Sequence, residues 1–370
     1  MKKILYITTV SRTINAFLVP HIQMLIEDGN IVDCACCIDE EIDNSLIKKG
    51  VKVFNIPFSR NPLDPRNLKA FIELIKIQKE NEYDIVHVHT PVASVYGRLL
   101  KFKFPKLKTI YTAHGFHFYK GAPSHKWFIF YNIEKFMSKF TDILITMNIE
   151  DYTVANEKFY AKHTYKVNGV GVNIDDYLYN FNDNNIRLEL GLEKNDIVVT
   201  IIAELSKRKN QIQVIRAFEK LTKKYNNIKL LLVGDGDLYN EFNLYIKTKK
   251  LDNNIKLLGY RKDIPKILDT TDIVGLFSYH EGLPRNLMEA MVAKCPIICT
   301  DIRGNNDLVE NEKNGFLVNI NDIDTTIVLL EKMYKNKSLR MDMGKAGFNK
   351  IQEYSLENVL NQMKAIFNEI

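Results

Sequence analysis

Two Rossmann-like, doubly wound α/β domains facing a cleft are the architecture that this 370-residue sequence predicts. Three observations carry that expectation. Apolar runs rich in Val, Ile and Leu recur from end to end, each followed by a helix-length amphipathic segment; unbroken runs of this kind are strands of parallel sheets covered on both faces. The runs form two series, which implies two sheets in succession. Length agrees, because a chain of this size outgrows a single core.

In chain order the first series reads "KKILYITTV", "IVDCACCI", "VKVFNIP", "DIVHVHT", "KTIYTAHG", "DILITMN" and "TYKVNGV". The second reads "DIVVTIIAEL", "NIKLLLVGDG", "NIKLLGY", "DIVGLFS", "PIICTD" and "GFLVN". The Gly/Asn-rich stretch "NGVGVNIDDY", residues 168–177, separates them. It places one domain at 1–172 and the other at 173–354. The last two segments, "SLRMDMGKAGFNKIQEY" and "SLENVLNQMKAIFNEI", are helical by period.

Composition removes several classes. With 46% apolar and 26% charged residues the chain reads as an ordinary globular protein. It has no apolar run of about 18 residues, so no spanning helix is expected. The opening "MKKILYITTV" is followed at once by polar "SRTIN" without a small-residue cleavage site, and reads as a buried strand, not a leader. Cys34, Cys36, Cys37, Cys295 and Cys299 offer no metal spacing and read as core thiols of a reducing cytoplasm. A dinucleotide site finds little support: "TTVSRTINAF" after the first strand holds no glycine, and "GDGDLY" lacks the third.

The net charge of +6 is unevenly spread. Residues 97–140 carry nine basic side chains against the single acid Glu134, together with 12 of the 39 aromatics and the only Trp. Within them "GAPSHKWFIFYNIEKFMSKF" reads as a helix setting Trp127, Phe128, Phe130, Tyr131 and Phe136 beside Lys126, Lys135 and Lys139, with Lys120 just ahead. Apolar and cationic groups together suit an anionic membrane surface or a lipid-diphosphate acceptor. The competing reading buries the rings in the core and leaves the lysines solvated. Nucleic acid is not expected, since no recognition motif accompanies the charge.

The stretch "HEGLPRNLMEAM", residues 280–291, follows "DIVGLFS" almost without spacer. Pro284 suits the first turn of a helix over about 284–293. The free amides and positive dipole end of that helix then stand beside Glu281, a phosphate-binding geometry with a carboxylate next to it. Carboxylates accept hydrogen bonds from sugar hydroxyls. Glu289, one to two turns further on, reaches a second hydroxylated group such as a ribose, so the pair brackets a nucleotide sugar. Two exposed glutamates on a capped helix are the bland alternative.

This pattern resembles the family 4 retaining glycosyltransferases of the GT-B fold, and the likeness runs through "DIVHVHTP", "AHGFHF", "KVNGVGVNIDDY", "AELSKRKNQ", "LLVGDGDL", "LLGYRKDIPKIL" and "IRGNNDLVENEKNGFLV". More narrowly it is similar to members that assemble capsule, O-antigen and other bacterial glycans on undecaprenyl-diphosphate. The resemblance implies that Glu281 binds the donor sugar, with the amides of Gly282 and Leu283 and the loop at Pro284 beside it. It implies that Glu289 holds the ribose, that Lys209 binds the diphosphate, and that His114 is the active-site histidine. The loop at Tyr260, Arg261 and Lys262 corresponds to base recognition through backbone. Helix 355–370 is expected to pack back on the first domain.

Two departures stand out. Glu204 occupies the place of the family's phosphate-binding arginine, and Arg208 is the candidate replacement. The segment after the first strand is expected to be a loop, in which Ser11, Arg12 and Thr13 stand in place of a Gly-Gly pair, and Arg12 is a candidate phosphate contact. His87 and His89 are expected one buried and one near the cleft. Asp235 and Asp237 in "GDGD" read as a turn, with neither metal nor other cofactor expected beyond a UDP-sugar donor. The implied activity is retaining transfer of a sugar, an N-acetylhexosamine for instance, to a lipid-linked or polysaccharide acceptor at the cytoplasmic face of the membrane. A UDP-sugar 2-epimerase-like enzyme and a non-catalytic nucleotide-sugar-binding protein are the alternatives.

Overall fold

The computed structural model describes residues 1–177 and 184–370. It divides into two compact units, Met1–Gly171 with Glu357–Ile370, and Val172–Leu356. The first is built on seven strands: β1 Lys3–Val10, β2 Ile31–Cys37, β3 Val53–Asn55, β4 Ile85–Val88, β5 Lys108–Ala113, β6 Ile143–Thr146 and β7 His163–Lys166. They lie in the order β3-β2-β1-β4-β5-β6-β7, with every pair parallel. The second is built on β8 Ile197–Ile202, β9 Ile228–Val233, β10 Ile255–Gly259, β11 Ile273–Leu276, β12 Ile297–Thr300 and β13 Gly315–Val318, in the order β10-β9-β8-β11-β12-β13, again all parallel. The seven and six apolar runs of the sequence are these strands.

Burial explains why the runs are unbroken. Ile4 to Val10 are buried without exception, and Leu5, Ile7, Val86 and Val88 join one core with residues of the covering helices. Each such side chain contributes about 1.5–3 kcal/mol by leaving water. In the second unit Val199, Ile201, Leu230 and Leu232 do the same against the amphipathic helix Ile212–Leu221. In both sheets the strand order reverses beside the first strand, at β1/β4 and at β8/β11. Crevices at such reversals, beyond the carboxyl ends of the strands, are where open α/β sheets hold ligands.

Three expectations need correction. The segment after β1 is not an open loop but winds at once into helix, Ser11–Thr13, then a π-helical Ile14–Leu18, then Val19–Glu27. Without glycine the chain has no reason to stay extended, and Asp39 accepts the Arg12 N–H at 3.1 Å. Pro284 is the residue before the helix Arg285–Val292, its ψ of 114° still extended, not a member of the first turn. His87 and His89 are both buried; two positions apart, they share one face of the chain, and their ring centroids lie 4.2 Å apart.

The helix Leu356–Asn368 sits largely in the first unit, where Gln362 accepts the Asn168 N–H and the Phe367 ring meets His87 at 5.5 Å. The basic, aromatic segment forms the helix Ser124–Met137. It is pinned by Glu134, which accepts from the guanidinium of Arg98 at 2.9 Å. Arg98, 1% exposed, also lies over the Tyr111 ring. That buried pair turns Phe128, Ile129, Ile133 and Phe136 outward, Phe128 being 67% exposed. All five cysteines are free thiols, four of them buried. Among the described residues no helix is long and apolar enough to cross a membrane.

Candidate active site

At the β8/β11 reversal two loops meet. After β8 the chain makes a single turn, Lys207–Lys209; after β11 it runs through Glu281 into the helix Arg285–Val292. Lys209 Nζ lies 2.6 Å from Glu281 Oε1, and Arg208 Nη1 lies 3.3 Å from both carboxylate oxygens. Glu281 is only 8% exposed. Burial pushes its carboxyl up, but the charges of Lys209 and Arg208 outweigh that and hold it below the usual range. Burial likewise pulls the Lys209 ammonium down, Glu281 opposing it. Glu281 and Lys209 thus face each other largely out of water, where Coulomb terms are strong, with the more exposed Arg208 beside them and the charge of Glu204 also acting on Lys209.

The loop is shaped from behind. Gly304 holds φ +81°, and a Cβ there would collide with the carbonyl of Gly282. Arg303 Nε donates to the Glu281 carbonyl at 3.0 Å. The amides of Gly282 and Leu283 meet no acceptor among the described residues. Further along the helix Glu289 lies 3.1 Å from Arg285 and hydrogen-bonds Tyr177, while burial raises its carboxyl above the ordinary value. Asp235 accepts the Tyr260 N–H at 3.2 Å, so this aspartate of "GDGD" ties two loops together.

In the first unit His114 follows β5 directly. Its Nε2 meets His89 Nδ1 at 3.1 Å. Burial, with His21 nearby, pushes its pKa down to about 4. At neutral pH it is therefore an uncharged imidazole, able to offer one hydrogen bond and accept another.

Comparison with known proteins decides the family. Residues 182–350 match the model described as glycosyl transferases group 1, and residues 3–148 match glycosyl transferase 4-like. The putative glycosyltransferase EpsD of Bacillus subtilis (strain 168) is 32% identical over 99% of this chain and 96% of its own. The chain belongs to the group 1 glycosyltransferases. An Escherichia coli relative, the UDP-Gal:alpha-D-GlcNAc-diphosphoundecaprenol alpha-1,3-galactosyltransferase, is 32% identical over 82% of this chain and 79% of its own. The crystal structure of Anabaena HepE with UDP and glucose superposes with a TM-score of 0.84 at 21% identity, covering all of both chains, so the fold is GT-B.

Of the residues singled out in the sequence of this glycosyltransferase, the structure gathers Glu281, Gly282, Leu283, Pro284, Lys209 and Arg208 at one strand reversal, with Glu289 about one turn into the helix that follows. Others it engages elsewhere. Arg261 is clamped by Asp263 at 2.6 Å and by Glu189 at 2.6 Å. Ser11 is buried and hydrogen-bonded to Asp39 and Glu40, and Arg12 pairs with the same two acids. Lys120 and Lys126 are exposed, and Trp127 stacks on Tyr131 at 4.6 Å. Arg303, Gly304 and Tyr177 were missed. Arg303 and Gly304 stand in "IRGNND", beyond the next strand, β12, from the loop that they support, and no spacing rule links them to it.

Proposed function

We propose that this glycosyltransferase moves a sugar, of the N-acetylhexosamine class, from a UDP-sugar to a lipid-linked or polysaccharide acceptor in bacterial surface-glycan synthesis, with retention of configuration and without a metal ion. The observation that carries it is the Glu281–Lys209–Arg208 cluster beside the unsatisfied amides of Gly282 and Leu283. The amides and the two cations meet the diphosphate, whose charge grows as the bond from the sugar's anomeric carbon to phosphate breaks, and such fixed donors stabilise that charge. Glu281 accepts from the sugar hydroxyls, and Glu289, freed from Arg285 and Tyr177, accepts from the ribose. The acceptor hydroxyl attacks the anomeric carbon from the face that the diphosphate leaves and gives its proton to the departing phosphate oxygen. His114, neutral, offers the sugar a hydrogen bond. The activity of the Escherichia coli relative, a transferase from UDP-Gal to a diphosphoundecaprenol-linked sugar, supports a UDP-sugar donor and an undecaprenyl-diphosphate acceptor.

The exposed apolar face of the helix Ser124–Met137, flanked by Lys126 and Lys139, supports peripheral attachment to the anionic inner face of the cytoplasmic membrane. Incubation with a panel of UDP-sugars, with and without acceptor, tests the assignment. Acceptor-dependent UDP release that survives EDTA, giving a product of unchanged anomeric configuration by NMR, is the expected result. A donor sugar altered without acceptor identifies an epimerase, and binding without turnover a non-catalytic protein.

A further inference from the structure

The first unit has a second site at its own strand reversal. Beyond the carboxyl ends of β1 and β4 lies a cavity of about 500 Å³, walled mainly by aliphatic and aromatic groups, among them Val10, Val95, Phe130 and Ile133. That volume is within the range of small-ligand sites. Its floor is drawn tight by Thr90, held at φ +60° and ψ 140°. Thr90 Oγ1 accepts the Thr9 N–H at 3.0 Å. Strained non-glycine backbone of this kind concentrates at ligand sites. Glu134 also lines the cavity, but its carboxylate is spent on Arg98 and on the Tyr111 hydroxyl. At the rim stands Arg60, exposed and without an ion-pair partner among the described residues.

We infer that this cavity takes the first isoprene units of a polyprenyl-diphosphate-linked acceptor, with Arg60 on the diphosphate. The inference rests on the transferase reading above and chooses between the two acceptor classes that it leaves open. Walls of Val, Pro, Ile and Phe reward an alkyl chain, while the Thr9 and Thr90 hydroxyls are bonded to each other and Glu134 to Arg98, which leaves few partners for sugar hydroxyls that lose their water there. The rim cation complements the anion that a lipid-linked acceptor carries and a neutral polysaccharide lacks. The cavity is also continuous with the exposed face of the helix Ser124–Met137: Phe130 and Ile133 line it, and Ile133 stands outside beside Phe128, Ile129 and Phe136. A chain leaving the cavity therefore runs along an apolar ridge, not into water.

Calorimetry with farnesyl diphosphate, at saturating UDP so that the donor site is filled, tests the site independently of turnover. Wild type should bind it at least roughly tenfold more tightly than inorganic diphosphate, the gain of burying a few methylene groups. Val95→Trp fills the cavity and should erase that preference, and Arg60→Ala should weaken both ligands, while UDP affinity stays unchanged in both variants as the sign of an intact fold. Equal binding of farnesyl and inorganic diphosphate, or a Val95→Trp variant that keeps the preference, overturns the inference. Acceptor-dependent UDP release is then measured on the same proteins. Its absence beside Val95-dependent farnesyl binding condemns the transferase reading and leaves the lipid site standing; turnover with soluble polysaccharide alone condemns the lipid site and leaves the transferase.

Discussion

Lys209 Nζ and Glu281 Oε1 stand 2.6 Å apart at the mouth of the second sheet, with Arg208 closing the triangle at 3.3 Å. The pair holds two opposite charges ready in a buried corner before any ligand arrives. Lys209→Ala should weaken UDP binding by roughly tenfold to a hundredfold, the worth of a charge-assisted hydrogen bond. Arg208→Ala should cost less, because its side chain is 37% exposed and partly screened. Calorimetric titration with UDP checks both, and equal affinities across the three proteins contradict the assignment.

Gly304 presses on the carbonyl of Gly282 at a φ of +81°, so a methyl group there must displace the loop that carries Glu281. Gly304→Ala should lower the melting temperature and reduce affinity for UDP-sugar more than for UDP, the outcome expected of the proposed sugar contact at Glu281. The cost expected from the left-handed backbone alone is about 1 kcal/mol or more. A variant with wild-type binding and melting would show that the loop tolerates the shift.

Burial holds His114 at about 4 and keeps His21, His87 and His89 below the ordinary histidine value. The unfolded chain, with histidines near 6.5, binds protons that the folded chain refuses. Stability is therefore full above about pH 6.5 and falls as pH drops toward about 4. Thermal unfolding between about pH 7.5 and 4.5 should show that slope, with more than one proton taken up on unfolding at about pH 5.5. A flat profile with no uptake contradicts a buried neutral cluster.

The outward rings of the helix Ser124–Met137 predict salt-sensitive sedimentation with anionic liposomes. Phe128→Ser combined with Phe136→Ser should weaken liposome affinity by roughly a hundredfold, each ring being worth about 1.5–3 kcal/mol when buried. Protein that stays in solution at both low and high salt defeats the membrane reading.

The sheets were legible because doubly buried strands leave unbroken apolar runs, and the Glu281 loop because Pro284 punctuates a strand-to-helix turn. Arg208 was legible only as a candidate, since a single turn at Lys207–Lys209 brings it round to Glu281 in a way that linear spacing hides. The helix after β1 was read as a loop because its cap comes from Asp39, across a loop beyond β2. His89 was misplaced although period two sets it on the same face as His87, and Arg303 and Gly304 act on a loop on the far side of β12 in the chain. Local pattern reports which face is buried; it does not report which distant backbone leans on a site.

Acceptor-dependent UDP release by Glu281→Gln, measured beside wild type, addresses the central claim most directly. The isosteric amide keeps the packing but gives up the charge that orders Lys209, Arg208 and the sugar hydroxyls. The account predicts turnover lower by roughly a hundredfold or more, the scale of losing one charged transition-state contact, a larger loss than that in UDP affinity, with a lowered melting temperature because Lys209 and Arg208 lose their buried partner. Turnover equal to wild type would contradict it.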